Sequence, residues 1–334
     1  MNFTREEIVK GKNRLVYNAL FNKDNFLYFE DKIHRTGPNT YQIKEINNLG
    51  KCGTLIKIFD IENSELFKQK YQQAISGKGD EEKNILTLIS SSLCALLFFY
   101  NVTEDNSLML NLNGSKVIFT ESIFEFKSRV ISPRAPSNVD VTLLGRDENG
   151  KKVILFIEAK LTEYYLGISL RSAKISNAYL ISEYGRLIYG GNIGYRIEMF
   201  ENQFKLASLI HGEKSYVNGV KQMISHFIGV QNGLNRNYAN NDIDILNRVT
   251  NCIENENAKA YLGSIIFDKN IGILKLDESR TAIGDYRDRY EVLQKVISKV
   301  NNNERFEMLE SLLVYSVFEN NDFNVEDRIK QFYF

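Results

Sequence analysis

The chain has 334 residues, 43% of them hydrophobic and 25% charged, which suits one large globular core or a core with an appended helical part. Its 42 basic residues balance 42 acidic ones, and no run of about eighteen apolar residues reads as a membrane span. Three cysteines, Cys52, Cys94 and Cys252, give neither a disulfide framework nor a zinc cluster, and with no secretory start this points to a cytoplasmic protein.

Thr4-Arg-Glu-Glu7 is a capping-box pattern that opens a helix to about residue 21. A second helix is predicted over residues 64–75. A third is predicted to start after Asp80, with apolar residues at Ile85, Leu86, Ile89, Leu93, Leu96, Leu97 and Tyr100, the spacing of a core helix. Residues 108–112 and 116–120 flank Asn113-Gly114 and read as a hairpin with a two-residue turn. Residues 124–130, 139–144 and 153–161 read as strands. Pro133-Arg-Ala-Pro136 precedes the second of them as an extended loop, and Gly145-Arg-Asp-Glu-Asn-Gly150 joins the last two. Helices are predicted from about 162 to 231, a strand over 262–267, and helices again from 285 to 319. The Asn-rich stretch 231–257 reads as a long loop.

Although the net charge is zero, residues 151–236 hold eleven Lys and Arg against six Asp and Glu, so the middle of the chain can present a basic face to phosphate. Residues 251–334 hold eleven against fifteen.

An acid-x-Lys tripeptide occurs four times, at Glu30, Glu81, Glu125 and Glu158, about what chance gives, so context must choose among them. Residues 153–157 are apolar at every position, as in a central strand covered on both faces, and Glu158-Ala-Lys160 ends that strand. Strand alternation puts Glu158 and Lys160 on one face. With the preceding turn centred near Asn149, antiparallel partners sum to about 298, which sets Asp140 across from Glu158 to within a residue or two; directly opposed side chains have Cβ atoms roughly 5 Å apart. Two carboxylates so placed can share a divalent ion with ligand distances of about 2.0–2.1 Å. A lysine beside them can steady a water or a phosphate oxygen as a point charge. A cross-strand ion pair on a sheet edge is the plainer alternative.

Asp140, a gap of seventeen residues and Glu158-Ala-Lys160 resemble the PD-(D/E)XK nuclease superfamily, which includes many restriction endonucleases. A restriction-endonuclease-like bacterial subgroup is similar at more landmarks: Ser91-Ser92, Phe124-Glu-Phe-Lys127, Ser137-Asn-Val-Asp140, Phe156-Ile-Glu-Ala-Lys160 and Gly219-Val-Lys-Gln222-Met-Ile-Ser-His226. The resemblance covers about residues 85–270. It implies an α/β fold with a core of helix, three-stranded meander, helix and strand, whose core helix is 85–102, within residues 81–270. A mainly helical N-terminal extension (1–80) and a helical C-terminal region (271–334) would be added to it. It further implies a Mg²⁺-dependent DNA endonuclease, with Mn²⁺ as a substitute, serving restriction or phage defence. Asp140, Glu158 and the Ala159 carbonyl would bind the metal and Lys160 would assist the water.

The proline that the superfamily places directly before the first acid is absent, and residues 85–102 hold no acid, so Glu125 is the candidate for the missing one. Gln222 and His226, four apart, share a helix face that the resemblance sets beside the site, with Gln222 bonding a catalytic group and His226 contacting phosphate. DNA is the expected partner, with no membrane association, and a homodimer would suit cutting of both strands. A nuclease-like binding protein that does not cut, or a ribonuclease using the same residues, are the alternatives.

Overall fold

The computed structural model describes residues 27–37, 40–76, 81–88, 90–128, 137–160, 257–266, 304–309, 312–313 and 323–333, together with 223, 226, 227, 229–231 and 249. The predicted helix before residue 21, Gln222, and most of the stretches 162–231, 231–257 and 285–319 lie outside the described residues.

The fold is mixed α/β. A short helix, α1 (Leu27–Glu30), leads into an antiparallel hairpin of β1 (Ile33–Gly37) and β2 (Thr40–Ile43). Three helices follow, α2 (Gly50–Ile58), α3 (Ser64–Ala74) and α4 (Glu81–Asn84), and then the core helix α5 (Ser91–Phe99). Asn63 caps α3 by accepting from the Leu66 amide, and Ser90 caps α5 by accepting from the Leu93 amide.

The core helix therefore starts at Ser91, not before Ile85. Residues 86–88 lie instead along β2, where Ile43 N–H donates to Leu86 O and Leu88 N–H to Tyr41 O. Ile85, Leu86 and Leu88 are as buried as the helix itself, so apolar spacing could not separate the two segments.

The main sheet has seven strands: β3 (Leu108–Leu112), β4 (Ser115–Ser128), β5 (Ser137–Asp147), β6 (Lys152–Lys160), β7 (Lys259–Ile266), β8 (Phe306–Met308) and β9 (Leu312–Leu313). β3 to β6 form an antiparallel meander, while β7 runs parallel to β6, and β8 and β9 pair parallel along the far edge of β7. Asn113 and Gly114 both take left-handed backbone (φ 51° and 86°), as a tight turn between twisted strands requires.

β4 is one long strand where two were predicted. Its polar Thr120-Glu-Ser122 centre reads as a break, but there the ladder only shifts register, between Phe119 and Glu121. Gly145 lies opposite that irregularity, and a Cβ on it would run into the Ile118 carbonyl oxygen, so the close approach of β4 and β5 admits only glycine. β8 and β9 fall where helices were predicted. Phe306, Leu309 and Leu312 have helix-like spacing, yet the edge of β7 pairs Phe306 and Leu312 as strand and accepts the Leu309 amide on Leu262 O.

α3 packs on β4, and α5 on β5 and β6. The buried apolar residues form one cluster from Phe29 to Tyr333, closed by the C-terminal helix α6 (Asp327–Tyr333). Phe332 meets Phe29 and Phe59 edge-on, with centroids 5.0 and 5.3 Å away. Arg328 bonds Asp60 at 3.0 Å and lies 3.6 Å over the Tyr28 ring. No described helix is long and apolar enough to cross a membrane.

Candidate functional site at a fork in the sheet

The site begins with a turn. Asp147 Oδ1 accepts the amides of Asn149 and Lys151, and Asp147 N–H donates to Lys151 O, so the chain reverses at a fixed point. From there β5 and β6 pair Arg146 with Lys152 and continue in step to Val141 opposite Ile157. The next step sets Asp140 level with Glu158, and at that point the ladder stops. β5 stays with β4 down to Ser137, and β6 stays with β7 up to Lys160. The two central strands thus fork, and Asp140 spans the opening by accepting the Ala159 amide on Oδ2 at 2.7 Å.

Glu158 points into the protein and is fully buried. Its Oε2 lies 2.6 Å from His226 Nε2, and His226 Nδ1 lies 2.8 Å from Ser137 Oγ. His226 is helical and fully buried, as are Met223 and Phe227. Met223 Sδ accepts from Ser264 Oγ at 3.5 Å, and Phe227 stacks on Phe306 at 5.2 Å. Ser264 is the β7 partner of Glu158, so this helical stretch lies across β6 to β8. A buried carboxylate needs such a partner, because ionised groups are costly away from water unless paired.

Glu125 supplies a further acid. It lies between the pairs Phe124–Val141 and Phe126–Val139, level with Asp140, and takes left-handed backbone (φ 51°), uncommon for a residue with a side chain. It is 4% exposed. Burial, aided by the charges of Glu81 and Glu158 and opposed by a hydrogen bond from Asn138, pushes its carboxyl up to about 8.

The structure therefore gathers Asp140, Glu158, Glu125 and His226 around the fork. His226 meets Glu158 and Ser137 through its two ring nitrogens. The backbone of Lys160 pairs with Ile266 at the end of β6, and only that backbone belongs to the described part.

The sequence names Ser137 and Asn138 only within the Ser137-Asn-Val-Asp140 landmark and Glu81 only as one of four acid-x-Lys acids, and gives none of the three a role in the site. A role for Asn138 was within reach, as it lies two residues from Asp140 and so on the same side of the strand. What Ser137 and Glu81 act on has no local signal, because His226 and Glu125 reach them only through the tertiary fold. Among the described residues, no three His, Cys, Asp or Glu side chains form a ready-made metal cage.

Curated proteins and solved structures give no match to this chain. A family model does match, over residues 18–230, which takes in α1 to β6 and His226. The chain accordingly belongs to the family described as restriction endonuclease associating with ARP.

Proposed function

We propose that the chain is a Mg²⁺-dependent DNA endonuclease of the PD-(D/E)XK type, with Mn²⁺ able to replace Mg²⁺, working in the cytoplasm in restriction or another defence against foreign DNA. The observation that carries the reading is the fork: β5 and β6 part where Asp140 and Glu158 stand side by side, with Glu125 next to them. The order α5, the β4 to β6 meander, a helical stretch and parallel β7 also follows the order of that nuclease core.

The donors suit the ion. All are hard carboxylate or carbonyl oxygens, and burial, reinforced by the charges of Glu81 and Glu158, raises Glu125 beside them to about 8. Mg²⁺ keeps several waters and is commonly held by one or two carboxylates, so a full cage is not required. Asp140, Glu158 and the Ala159 carbonyl would hold it, and its charge would stabilise the phosphodiester as negative charge develops and ease deprotonation of a nearby water.

The chain's own residues do the rest. The Ala159 amide fixes Asp140 Oδ2, and His226 fixes Glu158 Oε2, so both carboxylates are oriented before substrate arrives. Lys160, one strand period beyond Glu158, would present its ammonium to the attacking water or the phosphate oxygen. The water oxygen would form the new P–O bond as the bond to the leaving deoxyribose oxygen breaks, the proton given up by the water being balanced by one that the leaving oxygen takes from solvent. Two copies of the chain would serve the two DNA strands, and the family's description extends association with ARP to this chain as part of the proposal.

Plasmid nicking tests the reading. Wild type with Mg²⁺ should convert supercoiled plasmid to open-circle and linear forms, and Lys160→Ala should lose this by about 10²-fold or more. Equal cleavage by the two proteins would sink the assignment. A second reading, a nuclease-like protein that binds DNA without cutting, draws on the full burial of Glu158 and its bond to His226. It expects metal-free DNA binding that survives Asp140→Asn, with no cleavage by wild type.

A further inference from the structure

Between the two arms of the fork stands His226, and its two ring nitrogens face opposite strands. Nε2 meets Glu158 on β6 at 2.6 Å and Nδ1 meets Ser137 on β5 at 2.8 Å. Below Val141 and Ile157 the β5–β6 ladder has ended, and this strut and the Asp140–Ala159 bond reach across the opening.

We propose that Ser137 is a positioning residue of the site: its hydroxyl donates to His226 Nδ1, which keeps the ring proton on Nε2 and aims that N–H at the Glu158 carboxylate. A carboxylate accepts and cannot donate, so a short bond to Glu158 needs a proton on Nε2. The ring is 0% exposed, so water cannot take over an Nδ1 left without its serine, and rotation would cost the Glu158 bond. The partner on one imidazole nitrogen thus fixes which proton the other carries. The consequence reaches the metal ligands of the proposed nuclease, because the strut holds Glu158 in place and sets the width of the fork opposite Asp140. The inference about catalysis rests on that nuclease reading; the hydrogen-bond direction does not.

The test is built so that the two can fail separately. The chain has only three histidines, so the ring nitrogens of His226 can be assigned by ¹⁵N NMR on the metal-free protein. Wild type and Ser137→Thr should show a protonated Nε2 and a hydrogen-bonded, unprotonated Nδ1, and Ser137→Ala should lose the bonded Nδ1 signature. Mn²⁺ titration should then show affinity about 10-fold or more weaker in Ser137→Ala and near wild type in Ser137→Thr. A protonated Nδ1 in wild type, or an alanine variant with unchanged spectrum and Mn²⁺ affinity, would overturn the proposal. Should Ser137→Ala fail to fold, the wild-type and threonine spectra decide alone. A wild type that shows the expected ring signature and never cleaves DNA overturns the nuclease reading and leaves the strut standing.

Discussion

Replacing Glu158 by glutamine should abolish plasmid cleavage, by at least about 10²–10³-fold, while leaving the protein folded. Glutamine keeps the volume of the side chain, and its Oε1 can still accept from His226 Nε2, so the buried strut survives without its charge. Alanine at the same position should behave differently. It leaves a cavity and strips a 0% exposed neutral imidazole of its hydrogen-bond partner, which together cost on the order of 3–5 kcal/mol. The pair of variants separates chemistry from stability. Urea denaturation should place Glu158→Gln near wild type and Glu158→Ala well below it, with both inactive. A Glu158→Gln protein that cleaves at more than a tenth of the wild-type rate would show that the carboxylate is not needed.

The second large effect is on stability against pH, and it belongs to Glu125. Burial first, then the charges of Glu81 and Glu158, lift this carboxyl from its ordinary 4.5 to about 8. The folded protein therefore keeps a proton that the unfolded chain gives up above about 4.5. Stability from this group is complete below that pH and is lost as pH rises through about 8, at roughly 1.4 kcal/mol per unit. At pH 7 the deficit is on the order of 3 kcal/mol. Glu125→Gln removes it, so the variant should match wild type at pH 4–5 and be the more stable protein at pH 8, by urea denaturation without added metal. Parallel pH profiles for the two proteins would refute the buried placement of Glu125 beside Glu81 and Glu158. If Glu125 serves the proposed reaction, the same variant should also cleave more slowly, the usual exchange of stability for function at a strained, charged site.

Both expectations grow from features with unequal traces in the sequence. The register of β5 on β6 was legible because its determinants are local. Asp147 heads the turn, residues 153–157 are apolar throughout, and strand alternation does the rest, so the step from Val141–Ile157 to Asp140–Glu158 follows from counting. A slip of one residue would turn the acids to the other face. The fork was not legible. It depends on β5 remaining with β4 while β6 remains with β7, a competition between long-range ladders that no short window contains.

The surroundings of the two further acids were equally hidden. The charge of Glu81 acts on Glu125 across more than forty residues of chain, and His226 reaches Ser137 and Glu158 only because its helical stretch crosses the parallel strands. Phe306 and Leu312 show the opposite failure: they belong to a helical spacing that the open edge of β7 overrides. Local chemistry wrote the turn, the caps and the register, and tertiary docking wrote the electrostatics.

The most direct measurement of the central claim is anomalous diffraction from crystals soaked in Mn²⁺, paired with cleavage in the same buffer. The expected result is one peak about 2.1 Å from carboxylate oxygens of Asp140 and Glu158 and from the Ala159 carbonyl, lost in Asp140→Asn together with cleavage. Cleavage-competent protein with no ordered Mn²⁺ at the fork, or with Mn²⁺ bound only elsewhere, would contradict it.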